Sequence, residues 1–385
     1  MRAARAYPRV VAPLRWFDVT VDPIEAVALS LARAGSDTRA PRLFREQILP
    51  ALAGRGNPGR WLALTELLGA LGFAASERRV RAADLRALAA SSLDAGARAG
   101  LRPIAWYDPA YPALLREIPD PPIVLWSRGC LETLAQSPAV AVVGSRNATP
   151  EGLATARRLG RGLAEAGLAV VSGLARGIDA AAHRGALDGA GSTVAVLGNG
   201  ADIIYPAGHR ELAGEVVRRG ALMSEFAPGT PPLPRHFPLR NRIISGFSHA
   251  VVIVEASERS GSLITARAAL EQGREVLAVP GGVTSGCHRG CHALIRDGAR
   301  LVETVDDVLD EIGWRSARTG GRTPSGKPQT DLGLGAKMAP GEPVDLDGLA
   351  ERTGRSASEL LAELGQLELG GTIARLPGGK FVRLD

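Results

Sequence analysis

Three cysteines in 385 residues are too few, and odd in number, for a disulfide framework. Cys130, Cys287 and Cys291 predict a reducing compartment, and the expected location is the cytoplasm. No run of about 18 uncharged apolar residues occurs, which argues against a membrane-spanning helix. The segment MRAARAYPRVVAPLRWF is basic but lacks the continuous apolar stretch of a signal peptide. Aromatic residues make up only 4% of the chain, so few rings are available to stack on bases. Lysine is nearly missing: of 46 basic residues only Lys327, Lys337 and Lys380 are lysine. With so much alanine and glycine, that bias reflects GC-rich coding more than selection for phosphate contacts.

What is present is a basic total, net +6, with an uneven distribution. Residues 1–138 carry 18 basic and 13 acidic groups. Residues 139–313 carry 18 of each, so that stretch is neutral. Bulk charge therefore does not argue for a polyanion partner, and a local patch would have to hold one.

The chain reads as five segments. Residues 1–100 hold short amphipathic helices, with apolar residues at three- and four-residue spacing in IEAVALSLARA and RWLALTELLGALGF. Residues 101–138 are rich in Pro, Trp and Tyr and are expected to be a connector packed on the next domain, with IVLW as a strand. From residue 139 to 314, apolar runs recur at 139–143, 168–171, 193–197, 221–223, 250–254 and 275–279. Helical segments at 150–166, 177–188, 208–219 and 262–272 lie between most of them. That alternation predicts an α/β, Rossmann-like, doubly wound and mostly parallel sheet covered on both faces. Residues 315–335 read as a flexible linker. In residues 336–385, two helices, the second opened by a capping box from Ser356 to Glu359, precede two strands, the winged-helix pattern.

In a doubly wound sheet, ligands gather beyond the carboxyl ends of the strands. The loops there share one chemistry. Gly144-Ser145-Arg146 follows the first run, Ser172-Gly173 with Arg176 the second, and Gly198-Asn199-Gly200 with Tyr205 the third. Arg240, Asn241 and Arg242 precede the strand at 250, and Ser260-Gly261-Ser262 follows it. Glycine admits close backbone approach, serine bonds phosphate oxygens, and arginine supplies bidentate charge. Several such loops along one sheet edge predict an anion site.

No Walker loop is present, and Ile203 stands where a dinucleotide fingerprint beginning at Gly198 needs its third glycine. No nucleotide cofactor is expected. GCHRGCH at 286–292 lacks the spacing of a zinc knuckle, and no metal is expected. Asp179 and His183 lie one helical turn apart. They admit an acid–base reading or, as adopted here, a capping carboxylate and a hydrogen-bonded histidine. No catalytic constellation is assigned.

The ordered motifs VAVVGSR, VVSGLARGIDAAAH, VLGNGADIIYP, FPLRNRIISG, SGSLITARAALEQGREVLAVPG and RGCHALIRDGARLV resemble the DNA-processing protein A family, also called DprA or Smf. The resemblance implies an extended Rossmann domain with a SAM-like helical front and a winged-helix tail. It implies a non-enzymatic protein that binds single-stranded DNA, protects it and helps load the RecA recombinase in natural transformation. It also implies a homodimer. Carried over by motif, Arg146 would grip the backbone, with Asn241, Ser172, Gly173 and Arg176 completing the pocket. Ala207 occupies a place where members commonly offer lysine, which leaves Arg210 to substitute. Tyr205, Phe237 and Phe247 are the nearest aromatics for stacking. The second tail helix carries Glu359, Glu363 and Glu368 and no basic residue, so the tail is expected to serve protein contacts or regulation rather than a major groove. The competing reading is a nucleotide-cleaving enzyme, since Pro280-Gly281-Gly282 resembles part of the PGGxGTxxE signature of phosphoribohydrolases, with Glu255 and Glu225 as possible acids.

Overall fold

The computed structural model describes residues 23–34, 68–69, 74–106, 108–135 and 137–314 of one compact unit. In a second unit, which begins at Gly320, it describes residues 338, 344–353, 355, 360–361, 363–364, 367–368, 373–376 and 380–383. The predicted linker at 315–335, the capping box from Ser356 to Glu359 and most of residues 35–73 lie outside the described residues.

Among the described residues of the first unit, nine strands form one sheet. They are β1 (Arg102–Ala105), β2 (Val124–Gly129), β3 (Ala139–Val143), β4 (Ala169–Ser172), β5 (Thr193–Val196), β6 (Ala221–Ser224), β7 (Ala250–Ile253), β8 (Glu275–Ala278) and β9 (Arg300–Leu301). Their spatial order is β1-β2-β6-β5-β4-β3-β7-β8-β9. All neighbours from β6 to β9 pair in parallel, with Val140 opposite both Val170 and Ala250. All six predicted runs are strands. β3 is buried along its whole length, as a central parallel strand between two helical layers must be. The segment 101–138, expected as a connector, adds β1 and β2 as antiparallel strands outside β6. Alternation is hard to see there because β2 is buried on both faces over Val124–Ser127.

Helices cover both faces. α5 (Pro150–Glu165), α6 (Ile178–Asp188) and α11 (Val305–Glu311) share a core with Val140, Val142, Val170 and Val252. The alternate residues Ala139, Ala141, Val171, Val251 and Ile253 point to the other face. They pack there with α3 (Ala113–Arg116), α8 (His236–Phe247), α9 (Ser262–Glu271) and α10 (Arg289–Arg296). Each fully buried Val or Leu contributes about 1.5–3 kcal/mol of apolar transfer free energy. The helical front, α1 (Pro23–Ala34) and α2 (Ala75–Arg98), joins Val124, Trp126, Leu222 and α7 (Arg210–Arg219) in a third cluster. α4 (Leu131–Leu134) leads from β2 toward β3.

α5 and α6 approach closely at Gly160, where a Cβ would sit 2.4 Å from the Ala182 carbonyl oxygen. α8 was legible only as a loop. Pro238 is its third residue, where the first-turn N–H has no helical partner to lose, so the helix tolerates it. Among the described residues no helix is long and apolar enough to cross a membrane. In the second unit, α12 (Leu346–Thr353) packs with an antiparallel pair, β10 (Ile373–Leu376) and β11 (Lys380–Arg383), around Leu349, Leu360, Leu364 and Phe381.

Candidate nucleic-acid interface

The chain leaves β3 for β4 on one side and returns to β7 on the other. The crevice between the carboxyl ends of β3 and β7 is therefore the topological switch point of the sheet. A cleft of about 590 Å³ opens there. Its lining includes Gly144, Ser145, Arg146, Tyr205, Arg240, Asn241, Ser260, Gly261 and Ser262. A second cleft of about 330 Å³ shares Arg146, Tyr205 and Arg240 and adds Gly173, Arg176 and Pro206. The structure thus brings eleven of the fourteen sequence-predicted residues together.

Two loops present the exposed arginines. The β3–α5 loop is tied to β7: Ser145 N–H donates to the Glu255 carbonyl at 2.8 Å. The buried Glu255 carboxylate also accepts from Thr149 N–H at 3.0 Å and Thr149 Oγ1–H at 2.7 Å. Thr149 Oγ1 in turn accepts from Gly152 N–H and caps α5, which begins with Pro150. Gly144 fits because a Cβ would lie 2.7 Å from Ile178. The β4–α6 loop is held by Asp179, whose Oδ2 accepts from Gly173 N–H at 3.1 Å and Ala175 N–H at 3.4 Å. Within it Leu174 takes φ 57°, a left-handed conformation costing about 1–2 kcal/mol for a residue with a Cβ.

Arg146 and Arg176 are exposed, and neither has an ion-pair partner among the described residues. The Arg146 guanidinium carbon lies 5.2 Å from the Phe237 ring centroid, and Phe237 lies 5.7 Å from Tyr205. Asn241 reaches across to the Gly261 carbonyl at 3.4 Å, beside the Ser260–Ser262 hydroxyl pair. α9 starts at Ser262, so the positive end of its dipole lies at the cleft.

Arg240 forms the floor rather than the surface. It is 3% exposed and donates to the carbonyls of Gly173, at 2.8 Å, and Val196. Burial lowers its pKa to about 10, against the opposing pull of Asp179. Burial raises the Asp179 pKa, opposed by Arg240 and the two loop N–H groups. The two charges offset one another beneath the cleft.

Three expected contacts lie elsewhere. Arg242 turns away to Asp120, at 3.1 Å, and to Glu225. Burial opposes its charge, but the two carboxylates outweigh burial and raise its pKa. Ser172 is fully buried and donates to the Val142 carbonyl at 2.7 Å, closing the sheet instead of facing a ligand. Arg210 is exposed at the start of α7 and lines neither cleft. Phe247 is a core residue. Ser257, Ile264 and Thr265 line the larger cleft and were missed; their closeness to Ser260-Gly261-Ser262 was the available signal.

The remaining chemistry-bearing residues have structural partners. His183 Nδ1–H donates to Thr193 Oγ1 at 2.7 Å, and Asp179 caps the loop, so the two do not pair. Glu225 engages Arg242, and Glu255 engages Thr149. In the GCHRGCH segment, Cys291 is buried and burial raises its pKa to about 11. His292 Nε2–H donates to the Gly281 carbonyl at 3.1 Å. Among the described residues no group of three His, Cys, Asp or Glu could hold a metal ion.

A family model described as DNA recombination-mediator protein A matches residues 102–313, and one described as the DprA winged helix domain matches residues 325–379. The chain is 47% identical over 205 residues to the DNA processing protein DprA of Streptococcus pneumoniae, covering 53% of this chain and 72% of that protein. It is 42% identical over 287 residues to Protein Smf of Escherichia coli, covering 71% and 75% respectively. The X-ray structure of DprA from Streptococcus pneumoniae superposes with a TM-score of 0.66 at 37% identity, covering 76% of this chain and 99% of that one.

Proposed function

The chain belongs to the DNA recombination-mediator protein A family, and on that premise we propose that it binds single-stranded DNA in the cleft at the β3–β7 switch point. The observation that carries this reading is the row of Arg146, Phe237 and Tyr205, with Arg176 in the adjoining cleft. Exposed guanidinium groups suit backbone phosphates, and the two rings offer faces to unpaired bases. Duplex bases keep their faces stacked on one another, so an aromatic platform favours an unpaired strand. The Gly144–Arg146 and Ser260–Ser262 loops supply small polar groups close to the backbone path. The exposed Arg210 lines neither cleft.

The wider role follows the same premise. The protein acts without catalysis, protecting an incoming strand and promoting RecA loading in natural transformation and recombination. It works in the cytoplasm as a homodimer. Residues 1–100 form the SAM-like front, 139–314 the strand-binding domain, and 336–385 a winged-helix tail for protein contacts. Anisotropy titrations with labelled single- and double-stranded oligonucleotides across a salt series test the central claim. The expected result is a single-strand preference that Arg146→Ala weakens while making the salt dependence shallower by about 0.7 in log–log slope. Equal affinity for duplex, or an unchanged slope, would refute it.

A further inference from the structure

His209 closes a short 3-10 turn, Ala207–His209, immediately after Tyr205 and Pro206. Its Nδ1 lies 2.9 Å from the carbonyl oxygen of Leu174, 35 positions earlier in the chain. A carbonyl only accepts, so the hydrogen-bond network assigns the proton to Nδ1. Leu174 is the residue with φ 57°, and its side chain is fully buried. The side chain is therefore fixed by packing, and the carbonyl is the part of this strained turn that needs a partner. Asp179 secures the N–H groups on either side, and Arg240 secures the Gly173 carbonyl. The Leu174 carbonyl is bonded by His209.

The two residues belong to two separate segments that both contribute to the smaller cleft, although neither lines it itself. Tyr205 and Pro206 line one side of the smaller cleft, while Gly173, Ala175 and Arg176 come from the other loop. Arg176 has no ion pair among the described residues, so the backbone beneath it sets where its guanidinium starts. We propose that His209 is a positioning residue for strand binding: its Nδ1–H holds the Leu174 carbonyl and so presents Arg176 in the cleft that Tyr205 shares. The inference rests on the reading of this cleft as a single-strand site.

A double-mutant cycle on the full chain, read by anisotropy with a labelled oligothymidylate across a salt series, tests it. His209→Ala is expected to weaken binding by about three- to tenfold and to make the salt slope shallower, as Arg176→Ala does. His209→Phe, which keeps the ring but deletes the donor, is expected to match His209→Ala and serves should the alanine variant fail to fold. His209→Asn, which retains a short donor, is expected to stay within about twofold of wild type. In the Arg176→Ala background, His209→Ala is expected to add nothing. Losses that multiply in the double variant, or an unchanged salt slope in His209→Ala, overturn the proposal. So does wild-type affinity in Arg176→Ala. If Arg146→Ala binds weakly while His209→Ala and His209→Phe bind as wild type, only the His209 inference falls. If wild type shows no single-strand preference, the reading of the cleft falls and this inference with it.

Discussion

The Arg146 guanidinium lies over the ring of Phe237, 5.2 Å from its centroid, and the same ring neighbours Tyr205. A cation and two aromatic faces thus form one row, joining a residue from the β3–α5 loop to one from α8. Cation–π attraction of this kind is worth about 0.5–1 kcal/mol at an exposed site. Its larger consequence is geometric, because it holds a long side chain beside the platform that a base would use.

Phe237 and Arg146 should fail differently. Phe237→Leu is expected to lower single-strand affinity by about 1–3 kcal/mol while flattening the salt slope less than Arg146→Ala does, since Arg146 loses the ring it lies over but keeps its charge. Arg146→Lys keeps the charge and the slope but loses the planar fork, and binds more weakly than wild type. Titrations at several salt concentrations separate affinity from slope. A Phe237→Leu variant whose slope flattens as much as that of Arg146→Ala would contradict the assignment of roles.

Arginines that look alike in sequence should differ in stability. Arg240→Met leaves the buried Asp179 without its opposing charge and is expected to cost about 3–5 kcal/mol. Arg146→Ala, at the surface, should stay within about 0.5 kcal/mol of wild type. Urea unfolding of both variants checks the contrast. Similar midpoints would mean that Arg240 is not the buried floor described.

His183 supplies a pH dependence. Burial holds its pKa at about 3, well below the ordinary 6.5, so the folded chain refuses a proton that the unfolded chain accepts. Its contribution to stability is complete above pH 6.5. It declines as the pH falls toward 3, by up to about 1.4 kcal/mol per pH unit. Unfolding free energies for wild type and His183→Gln, measured at several pH values in that window, should converge as the pH drops. A constant difference would show that His183 titrates normally in the fold.

The cysteines should react unequally. Cys291 is buried, its sulfur lies 3.7 Å from the Ile253 carbonyl, and burial raises its pKa to about 11. Cys130 is exposed and Cys287 half-exposed. Alkylation of the native protein followed by mass spectrometry should modify Cys130 and Cys287 but leave Cys291 untouched until denaturant is added. Early labelling of Cys291 would show that α10 opens readily from the sheet.

Much of the architecture was written locally. Runs such as Ala139–Val143 have one stable solution, a parallel strand between two apolar layers, and they recur with helices between them. The glycine and serine loops follow from strand ends that must turn sharply. β1 and β2 were harder to place, because β1 pairs only with β2, and the strand that joins β2 to the sheet, β6, lies about a hundred residues away.

The sequence alone determined the order of the strands β3 to β8 and of the helices α5, α6, α7 and α9 between them, and so put the glycine, serine and arginine loops at a common sheet edge. Only the tertiary structure decided what each arginine does. Arg240, Asn241 and Arg242 are consecutive letters, but on α8 each is rotated about 100° from the last. One side chain goes under the cleft, one into it, and one away to Asp120 and Glu225. Carboxylates brought in from distant parts of the chain settle which positive charges are spent inside the fold. Arg146 and Arg176 have no ion pair among the described residues and stay exposed where the clefts open, available to an anion.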